Sequence, residues 1–187
     1  MKYTYRKTAF TKTETFEFED TQIKVFNENL LLIDTINYNE IKSIAMVRTP
    51  TKLTSNLHQC SIKTNSSKEI VLRNYSYIGI ANFKNQNEDY LKIISVLHNK
   101  VANKNIKFKK GVNKVGFMAM LIFLVLMAVL MGVVTYVLYD KNKVSEMITS
   151  IIGTLATLFL VFLYIQYFKP ANYDPTNIPK IALPRNT

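Results

Sequence analysis

The run VGFMAMLIFLVLMAVLMGVVTYVLY, residues 115–139, holds 25 residues without a single charge. As a helix rising about 1.5 Å per residue it reaches roughly 37 Å, beyond the ~30 Å hydrocarbon core of a bilayer. A soluble helix of that length keeps a polar stripe for solvent, and this run has none. A polar link, DKNKVSE (140–146), leads into a second uncharged run, MITSIIGTLATLFLVFLYIQYF (147–168). Seven residues suffice only to turn the chain straight back. The expectation is an antiparallel two-helix transmembrane hairpin with both ends on one side.

Charge decides which side. Lys104, Lys107, Lys109, Lys110 and Lys114 precede the first span and Lys169 follows the second, against Lys141 and Lys143 in the link. That bias places both termini in the cytoplasm, in a protein that crosses the cell inner membrane twice. Tyr136 and Tyr139 then fall at the outer interface, and Tyr164, Tyr167 and Phe168 at the inner one. Small residues four apart, Ala128 with Gly132, Ser150 with Thr154 and Gly153 with Thr157, mark a face where the helices could pack closely. On this reading Gly132 and Gly153 meet at similar depth; the competing reading is that small residues are simply common in spans. No Asp, Glu, Lys, Arg or His falls within either span, which argues against a transport path. The hairpin is an anchor or a partner-binding element.

The rest of the 187-residue chain is different in kind. The net charge is +11, and residues 1–114 hold 19 of the 24 Lys and Arg and 10 of the 13 Asp and Glu. The single cysteine, Cys60, excludes an intramolecular disulfide. The opening MKYTYRKTAF lacks the apolar core of a secretory signal. TFEFED (15–20) and TQIKVF (21–26) alternate apolar and polar residues; LLLID (30–34) is an apolar run, and INYNEIKSIAMV (36–47) resumes a strand pattern. HQCSIKTN (58–65) and KEIVLRN (68–74) read as a hairpin closed by a polar turn. In NQNEDYLKIISVLHNKVANK, Tyr90, Ile94, Leu97 and Val101 recur at helical spacing, and Asn85 with Glu88 resembles a capping box. The fold class read from this pattern is α+β: an antiparallel β-sandwich or barrel with a C-terminal capping helix, plus the two-helix hairpin. The expected organisation is a cytoplasmic domain over 1–104, a basic juxtamembrane linker over 105–114, the hairpin, and a tail over 169–187. The tail holds Pro170, Pro175, Pro179 and Pro184 and is expected to be extended. With Ile178, Ile181 and Leu183 it could pack on the domain, stay disordered or bind another protein.

Residues 22–103 resemble the PH-like domains of small bacterial membrane proteins. The matching pieces are Tyr38, Glu40 and Ile41 in one strand; Ser76, Tyr77 and Gly79 in a turn; Phe83; and Tyr90, Leu97 and His98 in the closing helix. The resemblance implies a pleckstrin-homology-like sandwich in a membrane setting and no reaction.

Catalytic and metal chemistry has little to stand on. His58, Cys60 and His98 are too few for a zinc site, and Cys60 with His98 lacks an orienting carboxylate. His98 is read as lying at the polar border of the helix. No glycine-rich phosphate loop occurs, so no cofactor and no enzyme activity are expected. Glu17, Glu19 and Asp20 read as a solvated strand face. Nucleic acid is not expected either, since topology already accounts for the juxtamembrane lysines. Arg48, Lys52, Lys63, Lys68 and Arg73 fall near strand ends and, with Lys107, Lys109, Lys110, Lys114 and Lys169, form the candidate surface for anionic lipid. Ordinary solvated lysine is the competing account. Tyr75 and Tyr77, on one strand face, are the partner-binding candidates, against simple packing under the helix. The functional expectation is a membrane-anchored adaptor or accessory subunit that binds protein partners or a second copy of itself. The alternative is a sensor of anionic lipid surfaces.

Overall fold

A computed structural model of the chain describes residues 1–49, 57–141 and 143–184. Alternation builds the first sheet. The strands β1 (Lys2–Arg6), β2 (Thr13–Phe18), β3 (Gln22–Phe26) and β4 (Leu32–Asn37) form an antiparallel meander in that order. It turns Tyr3, Tyr5, Phe16, Phe18, Ile23, Val25 and Ile36 inward. The strand β1, unassigned on sequence grounds, is an edge whose two tyrosines are core residues. A 3-10 turn at Tyr38–Glu40 then breaks the pattern read as continuous over 36–47.

The second sheet starts with β5 (Ile41–Thr49), followed by β6 (Leu57–Thr64) and β7 (Glu69–Arg73). A bulge between Ile41 and Ser43 shifts the β5–β6 register, so Ile44 and Met46 follow Ile41 into the core despite the odd spacing. From β6, the even-numbered His58, Cys60 and Ile62 face in. A two-stranded ribbon, β8 (Tyr75–Gly79) with β9 (Asn82–Asn85), leads into the helix α1 (Asn87–Val101). This helix buries Tyr90, Ile93, Ile94, Leu97, His98 and Val101. Each large apolar member contributes about 1.5–3 kcal/mol of burial. Its cap residue is Gln86, with no side-chain cap bond. Asn85 instead receives the Asn87 N–H at 2.9 Å, one position off the expected capping box.

The expected linker 105–114 is not a linker. Its centre is a strand, β10 (Lys107–Lys110), which pairs parallel with Ser43–Met46 of β5 and buries Phe108. A parallel partner requires a crossover, and the chain segment containing α1 supplies it. After the two hairpin helices, α2 (Lys114–Asp140) and α3 (Val144–Phe168), the tail adds β11 (Ala171–Asn172) antiparallel to β10. The second sheet therefore runs β11-β10-β5-β6-β7. A 3-10 turn at Lys180–Ala182 completes the tail, with Ala182 in the core and Tyr173, Ile178 and Leu183 packed against it. The chain thus divides into two compact units, Met1–Gly111 with the tail from Ala171, and Val112–Pro170.

In the second unit, α2 and α3 are both long and apolar enough to cross a membrane. Each presents one covered seam with heptad spacing: Phe117, Leu121, Leu124, Ala128, Met131, Thr135 and Leu138 on α2, and Met147, Ser150, Thr154, Thr157, Val161, Tyr164 and Phe168 on α3. Thr135 and Ser150 share a hydrogen bond of 2.8 Å across the seam, and Phe117 stacks on Tyr164 with centroids 5.3 Å apart. Thr154 and Thr157 bond back to the carbonyls of Ser150 and Gly153 at 2.9 Å, which satisfies their hydroxyls within α3.

The expected meeting of Gly132 with Gly153 does not occur. A Cβ at Gly132 would meet nothing within 4 Å, whereas one at Gly153 would lie 2.6 Å from the Met131 methyl. The seam follows steps of three and four from Ala128 to Met131 to Thr135, so Gly132, one residue past Met131, points away from α3. Gly132→Leu is expected to leave the thermal midpoint of the detergent-solubilised hairpin unchanged. Gly153→Leu, which overfills the seam, should destabilise it by about 1–3 kcal/mol. Equal midpoints for the two variants would contradict this packing.

Candidate functional site

Two features of the globular unit have the geometry to bind something: a clasp around the tail, and a set of apolar hairpin tips. The clasp uses both histidines of the chain. Along α1, the His98 Nδ1–H donates to the Ile94 carbonyl at 2.8 Å, so in the neutral ring Nε2 is left to accept. It lies 2.7 Å from the Tyr173 hydroxyl, which donates to it. The rings of His98, Phe108 and Tyr173 pack with centroids 5.6–5.9 Å apart. On β6, the His58 Nδ1–H donates to the Ala182 carbonyl at 3.0 Å. Both imidazoles are buried, so His98 is not at the polar border of its helix as the sequence suggested. The tail covers the ring that a bare helix would have left at the rim. Desolvation is the main effect that holds both histidines below their usual pKa; for His58 the Arg48 charge adds to it, and in each case a carbonyl partner opposes it.

Behind the clasp sits Asn74, fully buried at the corner between β7 and β8. Its Oδ1 accepts the His58 N–H at 2.7 Å, and its Nδ2 donates to Asn87 Oδ1 at 2.8 Å. Its own N–H donates to the His58 carbonyl, and its carbonyl accepts the Gln86 N–H. One amide thereby ties β6 to the start of α1. Nothing in the local pattern around Asn74 marks it out, since Asn before a tyrosine-rich strand reads as an ordinary turn residue.

At the hairpin tips, large apolar side chains stand in solvent. Phe10 in the β1–β2 connection is 99% exposed, Leu30 and Leu31 in the β3–β4 connection are 71% and 61%, and Ile80 in the β8–β9 turn is 97%. The first two connections are joined by an ion pair of 2.9 Å between Lys12 and Glu28. Arg6 joins the third: its side chain donates to the carbonyls of Ala9 and Thr11, and its guanidinium lies 5.4 Å from the Tyr77 ring centroid. Beside them opens a cleft of 340 Å³ whose walls include Tyr5, Lys12, Glu14, Ile33, Asp34 and Ile70. The run LLLID thus begins in a turn, where Leu30 takes a positive φ of 59°, before its end enters β4. Four consecutive apolar residues exceed what an alternating edge strand can bury, and that excess was the available signal.

The candidate lipid residues differ in how far their charges are already matched. Lys63 pairs with Glu69 at 3.7 Å and Lys68 with Asp34 at 2.8 Å, so two of the cations already have carboxylates. Arg73 is half-buried, and its carbonyl accepts the Tyr3 hydroxyl. Arg48 lies opposite His58 in the β5–β6 register, and Lys52 falls outside the described residues. By contrast, Lys107 and Lys109 both stand exposed on the outer side of β10 while Phe108 turns inward; Lys110 is half-covered, and Lys114 and Lys169 are exposed. Of the tyrosines, Tyr77 is engaged between Arg6 and Phe83, whose ring meets it edge-on at 5.7 Å; Tyr75, opposite Asn85, is half-buried. Glu17, Glu19 and Asp20 each pair with a lysine, namely Lys2, Lys24 and Lys100. Cys60 is fully buried, which pushes its thiol up to about 12 and keeps it protonated at neutral pH. No group of three or more His, Cys, Asp or Glu is placed to hold a metal among the described residues.

Comparison of the chain with family models, with curated proteins and with solved structures returns no match.

Proposed function

We propose that this chain is a membrane-anchored adaptor or accessory subunit whose PH-like domain binds protein partners at the cytoplasmic face. The observation that carries the reading is that Phe10, Leu30, Leu31 and Ile80 stand in solvent at hairpin tips, with the 340 Å³ cleft opening beside the β1–β2 connection. Isolated exposed apolar residues are ordinary; several on adjoining tips are the composition of a docking surface. The PH-like assignment draws support from a four-stranded meander followed by three further antiparallel strands and a closing helix around one core. The uneven distribution of lysines supports a cytoplasmic location for both termini.

The test is a photocrosslinking residue placed at Leu31 in native membranes. A discrete protein adduct, lost when Phe10→Asp/Ile80→Asp is added to the crosslinker-bearing chain at unchanged thermal midpoint, is the expected outcome. Crosslinks to lipid alone would overturn the reading. Surface substitutions of this kind move stability by no more than about 0.5 kcal/mol, so loss of the adduct would report on docking.

The lipid-sensing alternative has one observation in its favour, the outward pair Lys107 and Lys109 on β10. Attraction to an anionic leaflet would be worth about 1 kcal/mol for each such lysine near the surface. In nanodiscs it predicts slower amide exchange in β10 when anionic lipid is added, an effect that disappears in high salt.

A further inference from the structure

Besides its pairing with β10, the tail between Ala171 and Leu183 is hydrogen-bonded to both histidines of the chain. We propose that the tail is a proton-released latch: protonation of His58 and His98 frees the segment between Ala171 and Leu183 from its seat on β10, α1 and β6.

The argument is one of donors and acceptors. The His98 Nδ1–H is committed to a carbonyl, which can only accept, so the proton that arrives must bind Nε2. There the Tyr173 hydroxyl must turn from donor to acceptor, and its own hydrogen loses its partner. The new cation then sits among the rings of Phe108 and Tyr173. The titratable groups acting on Tyr173 and its neighbour Tyr90 include Cys60, and burial keeps the thiol and both phenols neutral, so none of them supplies a counter-charge. At His58 the charge that acts on the ring is Arg48, from the facing strand β5, and it repels the second proton. The tail side contributes only the Ala182 carbonyl, whose bond to Nδ1–H is already made. A buried cation without a counter-charge is expelled or hydrated. Here hydration is available at small cost, because the lid over both rings is a short segment with a two-residue strand and a 3-10 turn.

The sign follows from linkage. Docked, both rings have depressed proton affinity; undocked, they regain the ordinary histidine value near 6.5. Docking is therefore fully present above about pH 6.5 and weakens as the pH falls below it. Linkage limits the loss of docking constant to about tenfold for each histidine by pH 5.5, so about 100-fold is the upper bound for the pair.

Hydrogen exchange of the full-length protein in nanodiscs, corrected for intrinsic rates, tests this directly. Between pH 7.5 and 5.5 the protection of Ala171–Leu183 should fall, by up to about 100-fold, and recover on return to pH 7.5. In the same sample the amides of Ile44 and Ile62 should keep theirs. Unchanged tail protection at pH 5.5 would overturn the latch, and so would simultaneous loss in the core strands. A second chain carrying His58→Asn and His98→Gln, which keep a donor toward Ala182 and an acceptor toward Tyr173, should hold its tail equally at both pH values. A variant whose tail opened at pH 5.5 as the wild type does would also overturn it.

Discussion

Truncation after Pro170 lowers the unfolding free energy of the globular unit by about 3 kcal/mol. The loss has three sources. The Tyr173 ring, Ile178, Ala182 and Leu183 leave the core cluster, and a buried large apolar or aromatic side chain is worth about 1.5–3 kcal/mol. The bond from the Tyr173 hydroxyl to His98 and the bond from His58 to the Ala182 carbonyl are broken, at about 1 kcal/mol each. The outer edge of β10 also loses its pairing at Lys109 and Lys110. Against this, the shortened chain no longer orders the segment from Ala171 to Pro184, and the conformational entropy it regains offsets most of the loss. The opposing terms leave the modest net figure. Chemical denaturation of the detergent-solubilised protein, followed by tyrosine fluorescence, measures it. An unchanged midpoint would mean that the tail rides on the domain without stabilising it.

A second large effect is expected at Asn74. Asn74→Leu removes the acceptor for the buried His58 N–H and the donor to Asn87, while placing an apolar side chain of similar volume at the corner. A buried donor left unpaired costs about 1–3 kcal/mol, and the neighbouring loss at the head of α1 adds to it. The expected destabilisation is about 3 kcal/mol. Asn87→Ala breaks the second bond and leaves the first intact, at a half-exposed position where water can substitute, and should cost about 1 kcal/mol. Comparable midpoint shifts for the two variants would show that Asn74 does not act through the β6 backbone.

The difference between these two sites and the readable parts of the fold is one of range. Alternation in TETFEF and QIKVF is a property of neighbouring residues, and it located β2 and β3 with their inward phenylalanines and aliphatics. The helical stripe of Tyr90, Ile94, Leu97 and Val101 located α1 in the same way, although it missed Ile93 and His98 on the widened face. The strand β10 carries no comparable signal. KFKK reads as a basic linker until Phe108 has somewhere to go, and that place is made by β5, more than sixty residues earlier in the chain. The candidate surface fared likewise. Lys63 and Lys68 look like free cations in sequence and are neutralised by carboxylates that approach from β7 and β4. Phe10 and Leu30, unremarkable alone, matter because the Lys12–Glu28 pair joins their two loops.

By itself the sequence determined two apolar spans, the short turn between them, the strand-rich head and its closing helix. Apolar length, charge bias and periodicity are written locally and survive any arrangement of the rest. Tertiary structure alone decided that the supposed linker is a strand, that the tail closes over both histidines, and that Gly153 rather than Gly132 lies in the helix seam. Each of those depends on which distant backbone or side chain offers a hydrogen-bond partner or leaves a space, and no window of neighbouring residues contains that information.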